Sequence, residues 1–426
     1  MSRSTRSSSR LLAAILVAVL LVAAACSSDE DTSSSGGSGS DGGESTARGV
    51  TDTTIRIAGL TALTSSAGGY AGADLGAQAR FERVNRDGGI HGRTIDYLGT
   101  RDDGEDPTKN LDLARSLVQQ DEVFAIVPAI GQGLLPQSSD FLEEEKVPFV
   151  GWGFMPGFCD NDYGYGFNGC LIGQEYVNTA LVDPVIEATG KEASELKVAI
   201  QTGDDAAGKS GAAQYAATLE ERGAEVVYQE STIATANQTT DYSPFVQAVL
   251  ATDPDLVYAS ARFADVIGFS GAMRQAGFEG PIVNFVGYVP GLLDAQPSVA
   301  QALQGSWVNS QIPPSESDSP AIEQIHEDLE AIGEDPFISL GAALGYWSAD
   351  VLVQQLEAAG EDLTPEAFQT AMEDFTYEPM DGGIGPVSFP SDKNAPTPCS
   401  AIVAIEDAKY EVLEPMACYE TFPVGG

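Results

Sequence analysis

Basic residues are scarce in this chain. Of 426 residues, 21 are Lys or Arg and 63 are Asp or Glu, a formal net charge of −42. A surface this acidic repels phosphate backbones and anionic lipid, which excludes nucleic acid as a partner. Histidine is scarcer still. His91 follows Gly88-Gly89-Ile90 in a loop, His326 lies on an acidic helix face, and neither has a nucleophile nearby in sequence. No GxSxG elbow and no HExxH pair is present. The sequence therefore offers no catalytic residues, no metal set and no cofactor set, and it reads as a non-enzyme. With 43% hydrophobic residues it is too apolar to be a disordered acidic chain, and its length suits roughly two to three domains.

The first 25 residues read as a signal peptide. Arg3, Arg6 and Arg10 precede a 15-residue apolar run, Leu11 to Ala25, which is short for a membrane span. It ends Val22-Ala23-Ala24-Ala25-Cys26, similar to a bacterial lipobox, so Cys26 is the expected lipidation site. Residues 26–48 follow as a tether. Ser27 to Thr46 is almost entirely Ser, Gly, Thr, Asp and Glu, a composition that cannot bury apolar surface. Removing the leader leaves 18 basic residues against 63 acidic ones. The expected location is extracytoplasmic, on the outer face of the bacterial cell membrane, held by the lipid.

Four further cysteines allow three pairings. Cys159 and Cys170 bracket a short loop, whereas Cys399 and Cys418 flank two apolar runs. If those runs form a hairpin turning at Ala408-Lys409, Cys399 lies opposite Cys418. Cys159–Cys170 and Cys399–Cys418 are the expected disulfides, consistent with an oxidising compartment.

From about Gly49, short β-branched runs alternate with helical patterns. Strands are expected at 55–58, 94–98, 123–127 and 147–152, and helices at 72–86, 107–119 and 134–146. The second helix has Asp106 as N-cap before Pro107. The pattern then restarts with a helix at 175–189, strands at 197–201, 225–228, 255–258 and 281–285, and helices at 209–222, 242–250 and 263–275. Helices at 320–332, 336–359 and 364–375 and the hairpin complete the chain. The fold class is α/β, with two Rossmann-like lobes and a ligand cleft between them.

Three motifs point elsewhere and lack the context to support it. Gly203 to Ser210 fits GxxxxGK[ST] between a strand and a helix. No later strand ends in an acid suited to Mg²⁺, and Asp204 and Asp205 would face the phosphates. Gly164 to Gly169 fits GxGxxG but follows no expected strand. Asp102 to Asp106 is acidic without EF-hand spacing, and helix capping accounts for it.

The N-terminal signature carries a resemblance. Ile55 to Gly59, Ser65 to Tyr70, Gly76 to Asn85 and Gly88-Gly89-Ile90-His91-Gly92-Arg93 resemble type I periplasmic binding proteins of the branched-chain amino acid (Leu/Ile/Val) class. Asp102-Asp103 before Asp106-Pro107, Phe141 to Pro148 and Phe263 to Gly277 continue it. The resemblance implies a monomeric substrate-binding lipoprotein of an ABC importer, partnered by a permease. It also implies three crossover strands, near 167–172, 308–311 and 377–386. Lobe 1 would hold 49–168 plus 311–378, and lobe 2 would hold 169–310 plus 379–426. A ligand-sensing receptor of the same fold, uncoupled from import, is the alternative.

In open α/β units ligands sit at the carboxyl ends of strands. That rule selects Ser65, Ser66, Tyr70, Gly131, Gln132, Gly133, Trp152, Phe154 and Met155 in the first lobe, and Asp205, Arg262 and Tyr288 in the second. Against the family pattern, Gln132 and Met155 stand where hydroxyls hold an amino acid. Ala207 and Arg262 stand in place of tyrosines, and Val286 in place of an acid. All five exchanges remove an amino-acid handle. Arg262 could instead hold a carboxylate by its fork, or pair with Asp205 across the cleft. Tyr70, Trp152, Phe154 and Tyr288 would form apolar walls. The expected ligand is a small carboxylate or amide with an apolar body, with an amino acid read by other residues as the alternative.

Overall fold

Two parallel sheets organise the chain in a computed structural model that describes residues 47–64, 70–131, 133–134, 136–171, 176–234 and 239–423. The leader, Cys26 and the tether up to residue 46 lie outside the described residues. Among those described, no helix is long and apolar enough to cross a membrane.

The first sheet is built from β1 (Thr54–Thr61), α1 (Ala73–Arg86), β2 (Thr94–Asp102), α2 (Pro107–Gln119), β3 (Ala125–Ile130), α3 (Pro136–Glu144), β4 (Phe149–Gly151) and β5 (Gly164–Gly166), in strand order β2-β1-β3-β4-β5. All its pairings are parallel, and β3 is buried along its whole length, as a strand covered on both faces must be. Asp106 caps α2 through Thr108 N and Lys109 N as expected. The turn from Asn85 to Arg93 has a clear purpose. Asn85 bonds both the N–H and the C=O of Ile95 (2.7 and 3.0 Å), which docks the start of β2 against the end of α1.

The chain then passes through β6 (Tyr176–Asn178), α4 (Asp183–Thr189), β7 (Lys197–Gly203), α5 (Ala206–Arg222), β8 (Glu225–Ile233), α6 (Ser243–Leu250), β9 (Leu256–Ser260), α7 (Phe263–Gln275), β10 (Ile282–Asn284), α8 (Leu292–Ala295), α9 (Pro297–Leu303) and β11 (Ser306–Ser310). The helix expected over 175–189 is not continuous. Asn178 caps a single 3-10 turn by accepting from Ala180 N, and a helix resumes only at Asp183-Pro184.

Next come α10 (Pro320–Ala331), α11 (Leu340–Ala359), α12 (Pro365–Ala371), β12 (Phe375–Tyr377), β13 (Val387–Phe389), β14 (Cys399–Glu406), β15 (Lys409–Cys418) and β16 (Thr421–Pro423). The second sheet has the order β15-β14-β11-β10-β9-β7-β8, with β14 and β15 antiparallel additions. The hairpin turns at Asp407 and Ala408, both at positive φ, and sets Cys399 opposite Cys418. Both expected disulfides are present.

The C-terminal helices return to the first sheet. Helix α11 lies so close to α1 that a Cβ on Gly76 would fall 1.9 Å from Ala342 O, and one on Gly345 would fall 2.0 Å from Ala73 O. A buried polar network fastens this contact. Arg80 Nε donates to Asp350 (2.6 Å), which also accepts from Tyr377 Oη (2.8 Å). Arg83 and Arg86 pair with Asp328 on α10, and Tyr346 Oη donates to the same carboxylate (2.7 Å). The strand β13 stays with this core, because Phe389 packs edge-on against Tyr165 at 5.2 Å.

The third crossing does not fall near 377–386, because β12 and β13 pair with each other there; the chain enters the second sheet only at β14, and the segment between β13 and β14 runs beside the first crossing. Gly169 bridges to Pro396, Cys170 N donates to Ala395 O (2.9 Å), and Thr397 N donates to Asn168 O (2.9 Å). Backbone here meets backbone, and a Cβ on Gly153 would fall 1.8 Å from Gly169 O. The glycines of the GxGxxG match therefore serve close approach. They do so around the short strand β5, which the sequence reading left out.

Two stability measurements follow. Asp350→Ala leaves Arg80 buried without its counter-ion and is expected to cost about 3–5 kcal/mol in chemical denaturation. Lys393 lies 4.5 Å over the Tyr165 ring, and burial pushes its ammonium down to about 8 against the pull of Asp162 and Glu143. Its folded value is below the unfolded one, so stability is lost as pH falls through about 8 and is fully present only above the unfolded pKa of roughly 10.4. Lys393→Met is expected to gain about 1 kcal/mol at pH 7, with the gain shrinking in denaturation curves near pH 10.

Candidate functional site

Strand order selects where a ligand can enter. Neighbouring strands part company at a topological switch point, which falls between β1 and β3 in the first sheet and between β7 and β9 in the second. The loops after these strands carry Tyr70, Gly131 and Gly133 on one side and Asp205 and Arg262 on the other. Trp152 and Phe154 follow β4, one strand further out.

On the first-lobe side the aromatic residues come together. Tyr70 and Trp152 meet edge to face at 6.3 Å, and Trp152 and Phe154 at 4.9 Å. Such pairs fix each other's orientation beyond simple burial. The Tyr70 hydroxyl is pushed up to about 12 by burial, with the charge of Glu105 adding to it, so it remains a neutral phenol. The Trp152 indole Nε1 is buried and has no hydrogen-bond partner among the described residues. A buried orphan donor costs on the order of 1–3 kcal/mol until an acceptor arrives.

The glycines of this side serve geometry. Gly131 holds φ 130°, and Gly133 lies where a Cβ would meet Asp103 Oδ2 at 2.5 Å. Asp103 itself is buried, and burial pushes its carboxyl up despite the hydrogen bond donated by Asn110 Nδ2 (2.6 Å). The acidic cluster at 102–106 is thus spent on turns and caps. Asp102 accepts from Thr64 and Gly104 N, and Asp103 from Glu105 N.

Not every selected residue joins this surface. Met155 is buried in the apolar cluster with Phe158, Tyr163 and Leu134. Tyr288 is also buried. It packs on Tyr410 at 4.9 Å, and its hydroxyl donates to Glu316 Oε2 (2.6 Å) beside Ser315. Ser65, Ser66 and Gln132 lie outside the described residues. Val286, at the end of β10, is an exposed apolar side chain.

Arg262 is held by its own helix. Its Nε and Nη2 reach Asp265 Oδ2 at 2.9 and 2.8 Å, and Nη2 also donates to Ala234 O at 3.3 Å. Among the described ion pairs Arg262 is joined to Asp265 and not to Asp205, whose carboxylate caps α5 through Gly208 N at 2.7 Å. That cap occupies the helix N-terminus which a phosphate would need in the GxxxxGK[ST] reading. Asp265 is fully buried and also accepts from Tyr242 Oη (2.8 Å), whose proton is held more tightly through burial and this carboxylate. The sequence reading missed Asp265. Its spacing of three from Arg262 on a helix was the available signal.

Among the described residues no group of His, Cys, Asp or Glu is placed to hold a metal ion. The arrangement offers groups for binding and orientation: an aromatic cluster with a buried, unpartnered indole donor after the first-sheet strands, and a guanidinium oriented by Asp265 after β9.

These features define a two-lobed binding protein. A family model described as periplasmic binding protein matches residues 54–409, and the chain belongs to that family, the type I substrate-binding proteins of ABC transporters. Among solved structures it is similar to a fatty acid ABC transporter substrate-binding protein from Thermomonospora curvata, at 24% identity and TM-score 0.64, covering 88% of this chain and 95% of that one. A solute-binding protein from Rhodopseudomonas palustris in complex with p-hydroxybenzoic acid is 19% identical, with TM-score 0.63 and coverage of 87% and 97%. A leucine-binding protein from Thermotoga maritima is 16% identical, with TM-score 0.64 and coverage of 85% and 99%. No curated protein matches. The family places the chain outside the cytoplasm and gives it a small-molecule ligand and an ABC permease as partner.

Asp265→Asn is expected to loosen Arg262 without unfolding the lobe. Chemical modification of Arg262 by phenylglyoxal, followed by peptide mass spectrometry, should then run several-fold faster than in the unmodified chain.

Proposed function

We propose that this chain is a lipid-anchored substrate-binding protein of an importer, tethered through Cys26, whose cleft takes a small carboxylate or amide with an aromatic or apolar body. The observation that carries this reading is the Tyr70–Trp152–Phe154 ladder with its unpartnered indole donor. An aromatic body would stack within the ladder, and its acceptor oxygen would take the Trp152 N–H. Arg262, pre-oriented by Asp265, would meet the carboxylate as the lobes close, where water exclusion strengthens the contact. Exposed Val286 replaces the acid that would have held an ammonium, which removes the second handle of an amino acid. The neighbour from Rhodopseudomonas palustris, in complex with p-hydroxybenzoic acid, is consistent with the same fold serving aromatic acids.

The lobes expected at 49–168 with 311–378 and at 169–310 with 379–426 keep these bounds except at the last, which we move past Phe389, because that residue packs on Tyr165 of the first core.

Thermal-shift screening tests the reading. Aromatic acids and amides are expected to raise Tm, and leucine and valine to leave it unchanged. Trp152→Phe keeps the ring stack but removes the N–H, and should weaken binding about 5–10-fold for one lost hydrogen bond in a dry site. Stabilisation by leucine or valine alone, or unaltered affinity in both Trp152→Phe and Arg262→Ala, would overturn the proposal.

A further inference from the structure

A second cavity lies away from the cleft loops, on the face of the first lobe where α1, α10 and α11 meet the segment after β12. Its volume is about 580 Å³, within the range of small-molecule pockets. It differs from a chance surface dent in what lines its floor. Trp347 contributes to the wall, is 1% exposed, and its indole Nε1 has no hydrogen-bond partner among the described residues. Beside it lies Arg80, whose Nε is held by Asp350 and whose guanidinium makes no other hydrogen bond among the described residues. Two buried lining residues thus have donor capacity that no described residue meets, and unmet buried donors are costly. Phe375, Pro379 and exposed Met380 add apolar surface.

The rim has the opposite character. Glu357 and Glu378 are exposed carboxylates at its edge. Counting the ionised groups of the lining, Arg80 and Arg83 face Asp350, Glu357 and Glu378, so the cavity carries an excess of negative charge. A simple anion would find donors below and repulsion above. A molecule with an acceptor at its inner end and an ammonium at its outer end satisfies both.

We propose that this cavity is a second small-molecule site, separate from the cleft, that takes a zwitterion with an apolar body. Its carboxylate accepts from the Trp347 and Arg80 N–H groups, and its ammonium faces Glu357 and Glu378. The site borders the segment leading to the third crossing. Gln354, also in its lining, holds that segment by donating Nε2–H to Glu378 O (2.9 Å) and accepting from Glu378 N (3.2 Å).

The chain has three tryptophans, Trp152, Trp307 and Trp347, so indole ¹H–¹⁵N resonances separate the two sites. Trp152→Phe and Trp307→Phe assign two signals and leave the third to Trp347, whose own replacement could disturb the core. Phenylalanine, benzoate and benzylamine serve as probes through millimolar concentrations. Phenylalanine is expected to shift the Trp347 signal saturably, with benzoate and benzylamine each at least 10-fold weaker. Ala358→Phe, at an exposed lining position, should abolish that shift while the Trp152 and Trp307 signals stay in place. No Trp347 shift with any probe, a shift that survives Ala358→Phe, or an equal response to benzoate or benzylamine would each overturn the proposal.

Discussion

Everything in this molecule depends on a place where two stretches of backbone touch with no side chain between them. The first and third crossings lie against each other at Gly169 and Pro396, with Gly153 close behind. Hydrogen bonds from Cys170 N and Thr397 N tie them on either side of that contact. Any Cβ at these glycines would displace a carbonyl, so the chain can change sheets here only with this composition. The two disulfides stand at the ends of the same region. Cys170 is one residue beyond Gly169, and Cys399 begins the hairpin that continues from Thr397. The crossing segments are thereby tied to one another, so any closure of the lobes would pivot about this seam.

The two sides of the candidate cleft are prepared differently. The first-lobe side is stiff and apolar, since each aromatic ring braces the next. The second-lobe side is electrostatic, with a half-exposed guanidinium aimed by a buried carboxylate. An apolar body is recognised best by a preformed wall, because little side-chain freedom is lost on binding. A carboxylate is recognised best by a fork already locked in direction. In the proposed reading each lobe has one task, so full recognition would require both.

Much of the fold was legible in the sequence because it rests on local rules. Pro107 after Asp106 marks a helix start, and α7 spans Phe263–Gln275 as its pattern indicates. The spacing of Cys399 and Cys418 about a turn gave their pairing. One failure was equally local in cause. The apolar pattern at 175–189 reads as one helix, but Asn178 and Pro184 each start a new element. Strand-end logic brought Tyr70, Trp152 and Phe154 together, yet it could not foresee that Tyr288 turns inward to Glu316. The network of Arg80, Arg83 and Arg86 was out of reach altogether. Arg80 meets Asp350 across 270 positions, and only the completed fold brings them within bonding distance.

That separation has a consequence for how the chain reaches its native state. Helix α1 emerges early, but the surface it must bury against belongs to α11, at Leu340–Ala359. A chain that appears from its N-terminus onward therefore exposes one face of its first sheet until most of its length is free. Long-range closure of this kind slows folding and prolongs the lifetime of unfinished states. A fragment that stops short of Leu340 lacks the partner surface of α1 and cannot complete the first lobe.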